Sequence, residues 1–268
     1  MRPGTLLFIL VLAPACGFTA PEPGQGPDPE DPYPGGAGPD PGSLPPPTAR
    51  RCAITDTALR LCLDFEDTRA GDDGSPLGHD AVCTDVTVMT RDQEKAGQLA
   101  ATSRMVVAET ADLDITDNLT VSLWAHPNSK PGRGKAYWAL DNNKQYFVEY
   151  LDNGKFRCGV GTTTVDAALG VQPGSWYHVG CTYDRARDAL RIYVNGHLAG
   201  CENYNNPIPT DGAEGLAVGG NIDAGPSFSQ PFVGGLDNIS VFARTLTASE
   251  LCDAASNSDC WAACPPDW

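Results

Sequence analysis

Asp112 and Asp114 stand two residues apart in the stretch DLDITDNLTVSLWAHP (112–127), just ahead of a strand-like apolar run. Alternate residues of a strand project to one face, so this spacing would aim both carboxylates the same way. Two such groups roughly 5–5.5 Å apart are the acid and the nucleophile of retaining glycoside hydrolysis. The next position of that parity is Thr116, which cannot protonate a leaving group, and Asp117 has the opposite parity. The pair therefore reads as polar residues flanking Leu113 and Ile115 at the entrance to a buried strand. Other catalytic arrangements are absent: there is no G-x-S-x-G elbow, and the four histidines (His79, His126, His178, His197) lack metal-ligand spacing. His178, inside the run WYHV, reads as a structural strand residue. No catalytic residue is assigned.

The elements that would carry any site are short strands. LRLCLDFE (59–66) alternates Leu59, Leu61, Leu63 and Phe65 on one face, and LTVSLW (119–124) does the same with Leu119, Val121 and Leu123. YFVEYLDNGKFRCGV (146–160) predicts a hairpin closed by a type I′ turn at Asn153-Gly154. SWYHVGCTYD (175–184), ALRIYVNGHLAGC (189–201, turning at Asn195-Gly196) and FVGGLDNISVFAR (232–244) add further strands. TASEL (247–251) predicts one helical turn capped by Thr247 and Glu250. With 29 glycines, 23 prolines and no long amphipathic helix, a turn-rich all-β domain is the expectation.

Charge and cysteine usage bound the setting. Lys and Arg number 18 against 34 Asp and Glu, a formal charge of −16. Nucleic acid is excluded as a partner, because its binding draws on cations that neutralise phosphates. Ten cysteines point to an oxidising compartment. Arg2 and the apolar run LLFILVL (6–12) fit an export signal over residues 1–15, the run being too short to span a bilayer. Two processing readings stand there. Ala13-Pro14-Ala15 fits signal cleavage to a soluble secreted protein. LAPAC also resembles a bacterial lipobox that would lipidate Cys16, with Ala13 where Leu is usual. The distance of Cys16 from the other nine cysteines, which begin at Cys52, favours lipidation. So does the segment after it: residues 16–51 form a Pro/Gly-rich acidic linker, with eleven prolines between 20 and 50. Such a run buries no core and extends as a spacer. A folded domain over 52–251 and a Cys-rich tail over 252–268 complete the expected organisation.

Three stretches carry a family resemblance: LDITDNLTVSLWAHP, GSWYHVGCTYDRARDALRIYVNGHLAG and FVGGLDNISVFARTLTASEL. Together they resemble the laminin G-like, concanavalin A-like jelly-roll family, which includes the pentraxins. The resemblance implies an antiparallel two-sheet sandwich whose first and last strands meet. Glucanases of that superfamily carry a Glu-x-Asp-x-(x)-Glu strand, and Thr116 breaks it here. Relatives often hold Ca²⁺ at one rim, which implies Asp64, Glu66, Asp67 and Asp237 as metal ligands, with loops 141–143 and 221–223 as alternatives. It also makes Cys158 and Cys181, on the apolar side of strands that neighbour each other in the family, a disulfide pair. Further bridges should staple the termini, their partners being unreadable. Trp124, Trp176, Tyr177 and Tyr193 fall in the family frame as core aromatics.

Sugar contact would draw on exposed aromatic faces beside amides, and Trp138, Tyr146, Tyr204 and Asn205 are the candidates. The reading from sequence is a non-enzymatic binding module, exported and held at the outer membrane or cell surface through a lipid anchor only. Its expected partner is a glycan or an extracellular protein. A divergent glycan hydrolase and a structural envelope protein are the alternatives.

Overall fold

The computed structural model describes residues 55–66, 69–210, 214–222, 228–262 and 264. The export signal, Cys16, the linker over 16–51, Cys52 and Asp67 lie outside the described residues. Among the described residues the strands, numbered along the chain, form two large antiparallel sheets. The first runs β13 (His197–Asn203), β12 (Ala189–Val194), β11 (Tyr177–Asp184), β6 (Leu119–Pro127), β17 (Gly234–Phe242), β4 (Glu94–Leu99) and β3 (Thr87–Arg91), and β1 (Leu59–Leu63) also pairs with β17. The second runs β10 (Thr163–Asp166), β9 (Phe156–Val160), β8 (Tyr146–Leu151), β7 (Ala136–Asp141), β14 (Leu216–Val218), β5 (Arg104–Val107) and β2 (Ala81–Thr84). A small ribbon joins β15 (Asn221–Ile222) to β16 (Phe228–Ser229), and one helix, α1 (Ala248–Ala254), follows the last strand.

Alternation in the sequence sets which face is buried. Leu119, Val121, Leu123 and Ala125 of β6 point inward, as do Val179 and Cys181 of β11 and Val148 and Tyr150 of β8, all with no exposed surface. These residues from both sheets form one continuous core, the jelly-roll sandwich. The first and last strands meet as the pattern implies, with Leu63 opposite Ile239 and Leu59 opposite Phe242. Cys158 of β9 and Cys181 of β11 are joined across the core, tying one sheet to the other.

Turn chemistry departs from expectation at one hairpin and follows it at another. Asn195 (φ 50°) and Gly196 (φ 80°) are both left-handed, as a two-residue type I′ turn requires. At the β8–β9 hairpin only Gly154 is left-handed (φ 84°), and its N–H donates to the Leu151 carbonyl. The Asn153-Gly154 dipeptide therefore closes a longer loop ending in a glycine, and the type I′ expectation is corrected. An extra residue, Asp152, in the loop is the physical reason. Helix α1 is capped as predicted: Thr247 Oγ accepts from the Glu250 N–H while the Glu250 carboxylate accepts from the Thr247 N–H. It runs on to Ala254 and takes in Cys252, so the Cys-rich stretch begins inside the helix.

Candidate functional site

The residues of the first sheet that face away from the core include Ser122, Trp124, His178 and Ser240. Ser122 and Trp124 of β6 stand beside His178 of β11, with Trp124 directly opposite His178. Ser122 also pairs with Ser240 of β17, and Trp124 with Asp237. Between Asp237 and Ser240 the register shifts, and Asn238 takes a left-handed conformation (φ 47°). This bulge lets both Asp237 and Ser240 face outward and presents Asn238 beside them. Asn tolerates that backbone region better than most residues.

Helix α1 covers part of this face because the sequence leaves room for it. A side chain at Gly180 would come 2.8 Å from Leu251 Cδ2. Leu251 packs with Tyr193, Leu198, Phe242 and Leu246 in a second apolar cluster outside the main core. Bridges Cys252–Cys260 and Cys201–Cys264 tie the segment after α1 to the helix and to β13. Between helix and sheet remains a cleft of about 420 Å³. Its floor is Ser122, Trp124 and His178, one wall is Asn238, Ser240 and Phe242, and the other is Arg244, Leu246, Glu250 and the end of α1. That volume lies within the range of small-ligand sites, about 300–1,000 Å³.

Most polar groups around the cleft have defined partners. Ser122 Oγ and His178 Nε2 share a hydrogen bond of 2.9 Å. Arg244 donates to Asp56 from Nε (2.8 Å) and to Glu250 from Nη1 (3.2 Å) and Nη2 (2.6 Å). These bonds pull the Glu250 carboxyl down to about 2 and raise the Arg244 guanidinium above its ordinary value. Behind the floor, Arg91 stacks over Trp124 at 4.5 Å and bonds Asp237 at 2.6 Å, both charges being about 1% exposed. Burial pushes Asp237 up to about 7, with the Arg91 guanidinium pulling against that rise.

Asp237 is therefore the counter-ion of a buried arginine, a role that competes with its expected one as a calcium ligand. Asp64 is buried after β1, and the Glu66 carboxylate accepts the Lys95 N–H at 2.6 Å. Among the described residues no group of three or more His, Cys, Asp or Glu side chains is placed to hold a metal ion. The expected donor set does not fit calcium, since an ion beside Asp237 would have to displace its guanidinium. The alternative loops do approach each other, Ile222 N–H donating to Asp141 Oδ2 at 3.1 Å. The other Asp141 oxygen accepts the Lys144 N–H.

The expected ligand-binding set does not converge either. Tyr146 has no exposed surface, and its hydroxyl donates to the Leu113 carbonyl inside the core, so it cannot stack on a ligand. Trp138 faces the other way from the second sheet, buried in a tilted pair with Phe147 at 4.9 Å. Tyr204 packs edge-on against Tyr183 and donates to the Pro207 carbonyl, and the Asn205 carbonyl accepts from Arg185. Asp114 accepts from Gln145 and Asp112 lies 3.5 Å from His79 Nε2. Sequence reasoning read Trp124 as core and His178 as structural. Both are buried, yet they face the cleft, and the available signal was their parity opposite to Leu123 and Val179.

An antiparallel two-sheet sandwich with a polar cleft on one outer face defines the lectin- and glucanase-like class of β proteins. The chain belongs to the Laminin_G_3 family of the concanavalin A-like lectin/glucanases superfamily, whose model matches residues 100–252. No curated protein matches it. Among solved structures it is similar to the binding domain of Paraclostridial Mosquitocidal Protein 1 (TM-score 0.62, 16% identity). That match covers 74% of this chain and 52% of the other, so the chain spans about half the length of that domain. It is similar to domain 4 of AbnA, an extracellular arabinanase from Geobacillus stearothermophilus, in complex with arabinotriose. There the TM-score is 0.57 and the identity 19%, over 74% of this chain and 98% of that one. It is also similar to the CBM40 of the Ruminococcus gnavus IT-sialidase bound to α2,3-sialyllactose (TM-score 0.51, 14% identity, 60% and 96% covered). At these identities the likenesses establish the fold.

Proposed function

We propose that this chain is a non-enzymatic binding module that takes a glycan in the cleft between α1 and the first sheet. The observation that carries the reading is the cleft itself. Hydroxyls of Ser122 and Ser240, the Asn238 amide and the apolar surfaces of Phe242 and Leu246 converge there. Sugars present the matching combination of hydroxyls and C–H faces. The arabinotriose complex of a similarly folded domain supports a glycan as partner. Asp112 and Asp114 serve as local partners of His79 and Gln145, which supports a binding role over hydrolysis.

The same proposal places the module outside the cell, lipidated at Cys16 and displayed on the Pro-rich segment. Among the described residues no helix is long and apolar enough to cross a membrane. Intact mass after membrane extraction tests the anchor: a diacylated N-terminus supports it and an unmodified Cys16 refutes it. A glycan array probed with the full chain, in calcium and in EDTA, tests the function. The proposal expects glycan binding that survives EDTA. An array without a positive spot in either buffer would refute it, and loss of all binding in EDTA would return the site to a metal.

A further inference from the structure

We infer that the cleft under α1 selects an uncharged or amine-bearing sugar and excludes acidic ones. The inference rests on the glycan-binding reading and names the class of glycan. Its basis is the charge lining the cleft: one guanidinium, Arg244, against two carboxylates, Glu250 and Asp253. An acidic sugar is normally held by a bidentate arginine. Here Arg244 is already engaged, Nη1 and Nη2 by Glu250 and Nε by Asp56.

Capturing a carboxylate or sulfate would break that clamp, which also anchors the first turn of α1. Asp253, exposed at the rim, faces any incoming ligand with a further negative charge. The remaining polar lining is His178, buried and hydrogen-bonded to Ser122, with Ser240, Ser256 and Asn238 offering hydroxyls and an amide suited to sugar hydroxyls. An ammonium substituent would meet Asp253 favourably. The formal charge of −16 on the whole chain acts in the same direction at long range. One carboxylate about 5 Å from an acidic group disfavours it by about fourfold at the dielectric of water, and by about twofold once physiological salt screens the exposed Asp253.

The test is an array of neutral, amine-bearing, sialylated, uronic and sulfated glycans, with lactose and α2,3-sialyllactose as a matched pair. It is probed with the full chain, with Ala254→Trp, whose indole fills the cleft, and with Asp253→Asn. Thermal melts of each variant establish folding. The inference expects neutral or amine-bearing spots, acidic spots about twofold to fourfold weaker, and loss of signal in a folded Ala254→Trp. In Asp253→Asn the ratio of acidic to neutral signal should rise, and this exposed, isosteric change carries the test if Ala254→Trp does not fold. Acidic glycans bound as tightly as neutral ones, and lost in Ala254→Trp, would overturn the selectivity while leaving the glycan reading standing. An empty array, or binding unchanged in a folded Ala254→Trp, would overturn both.

Discussion

Replacing Asp237 by Asn should be among the most damaging single changes on the outer face of the first sheet. The substitution keeps size and shape but removes the charge that balances Arg91, whose side chain is 1% exposed. A buried ion left without its partner costs about 3–5 kcal/mol. Arg91 keeps a 3.1 Å contact with Glu94 and a 3.6 Å contact with Asp92, both partly solvated, so the lower end, about 3 kcal/mol, applies. That is roughly a 150-fold loss in the folding constant. For a domain of this size it lowers Tm by about 6–12 °C. The assay is urea unfolding at pH 8, where Asp237 is ionised, for Asp237→Asn, Arg91→Met and the double variant. The two residues form one unit, so the double variant should cost about as much as either single one, rather than their sum of about 6 kcal/mol. Arg91→Met should be milder at pH 6 than at pH 8, because burial already raises the Asp237 carboxyl and loss of the guanidinium that holds it down raises it further, so the carboxyl left behind can take a proton. Additive costs, or an Asp237→Asn effect within about 0.5 kcal/mol of zero, would refute the pairing. A melting temperature of the parent chain that rises with calcium and falls with EDTA would restore Asp237 as a metal ligand.

Three other outcomes follow from the same geometry. Replacing Cys158 and Cys181 together by Ala removes a link across 23 residues, and loop-closure entropy puts the loss at about 3.4 kcal/mol in a denaturant titration. The Glu250 carboxyl is held down to about 2, so its contribution is complete above about pH 4.5 and disappears as pH falls toward about 2, and Asp56, also held below its ordinary value, adds in the same direction. An acid titration should show that slope flattened in Glu250→Gln, and an unchanged slope would discount the Arg244 clamp. Gly180→Val drives a side chain into Leu251, so it should lower stability by about 1–3 kcal/mol and weaken binding in the cleft. Thermal melts and the glycan array read the two effects separately.

The sandwich was legible because period-two alternation is dense in β6 and β12, where Leu, Val and Ile mark the inner face, in β11, where Tyr177, Val179, Cys181 and Tyr183 do, and in β17 on either side of its bulge. The capping box at Thr247 and Glu250 was legible for a similar reason, as local hydrogen bonding needs only the right spacing. Strands β2 to β5 were not, because short runs such as EKAGQL (Glu94–Leu99) lack that alternation and owe their conformation to sheet neighbours. The site was harder. Asp237 lies 146 residues from Arg91, and nothing in its own strand announces that partner. Trp138 and Tyr146 looked suited to stacking because of their type, yet burial, set by the opposite sheet and by the Leu113 carbonyl, removes them from solvent. Conversely, Trp124 read as core and His178 as a structural strand residue. Only the placement of α1 over Gly180 turns their face into a cleft.

The most direct test of the glycan site is a ¹H–¹⁵N NMR titration of the full chain with the strongest glycan from the array. Saturable shifts are expected at Ser122, His178, Asn238 and Ser240, together with the α1 residues Glu250 and Asp253. Shifts confined to the outer face of the second sheet around Trp138 and Glu149, or none at the cleft, would contradict it.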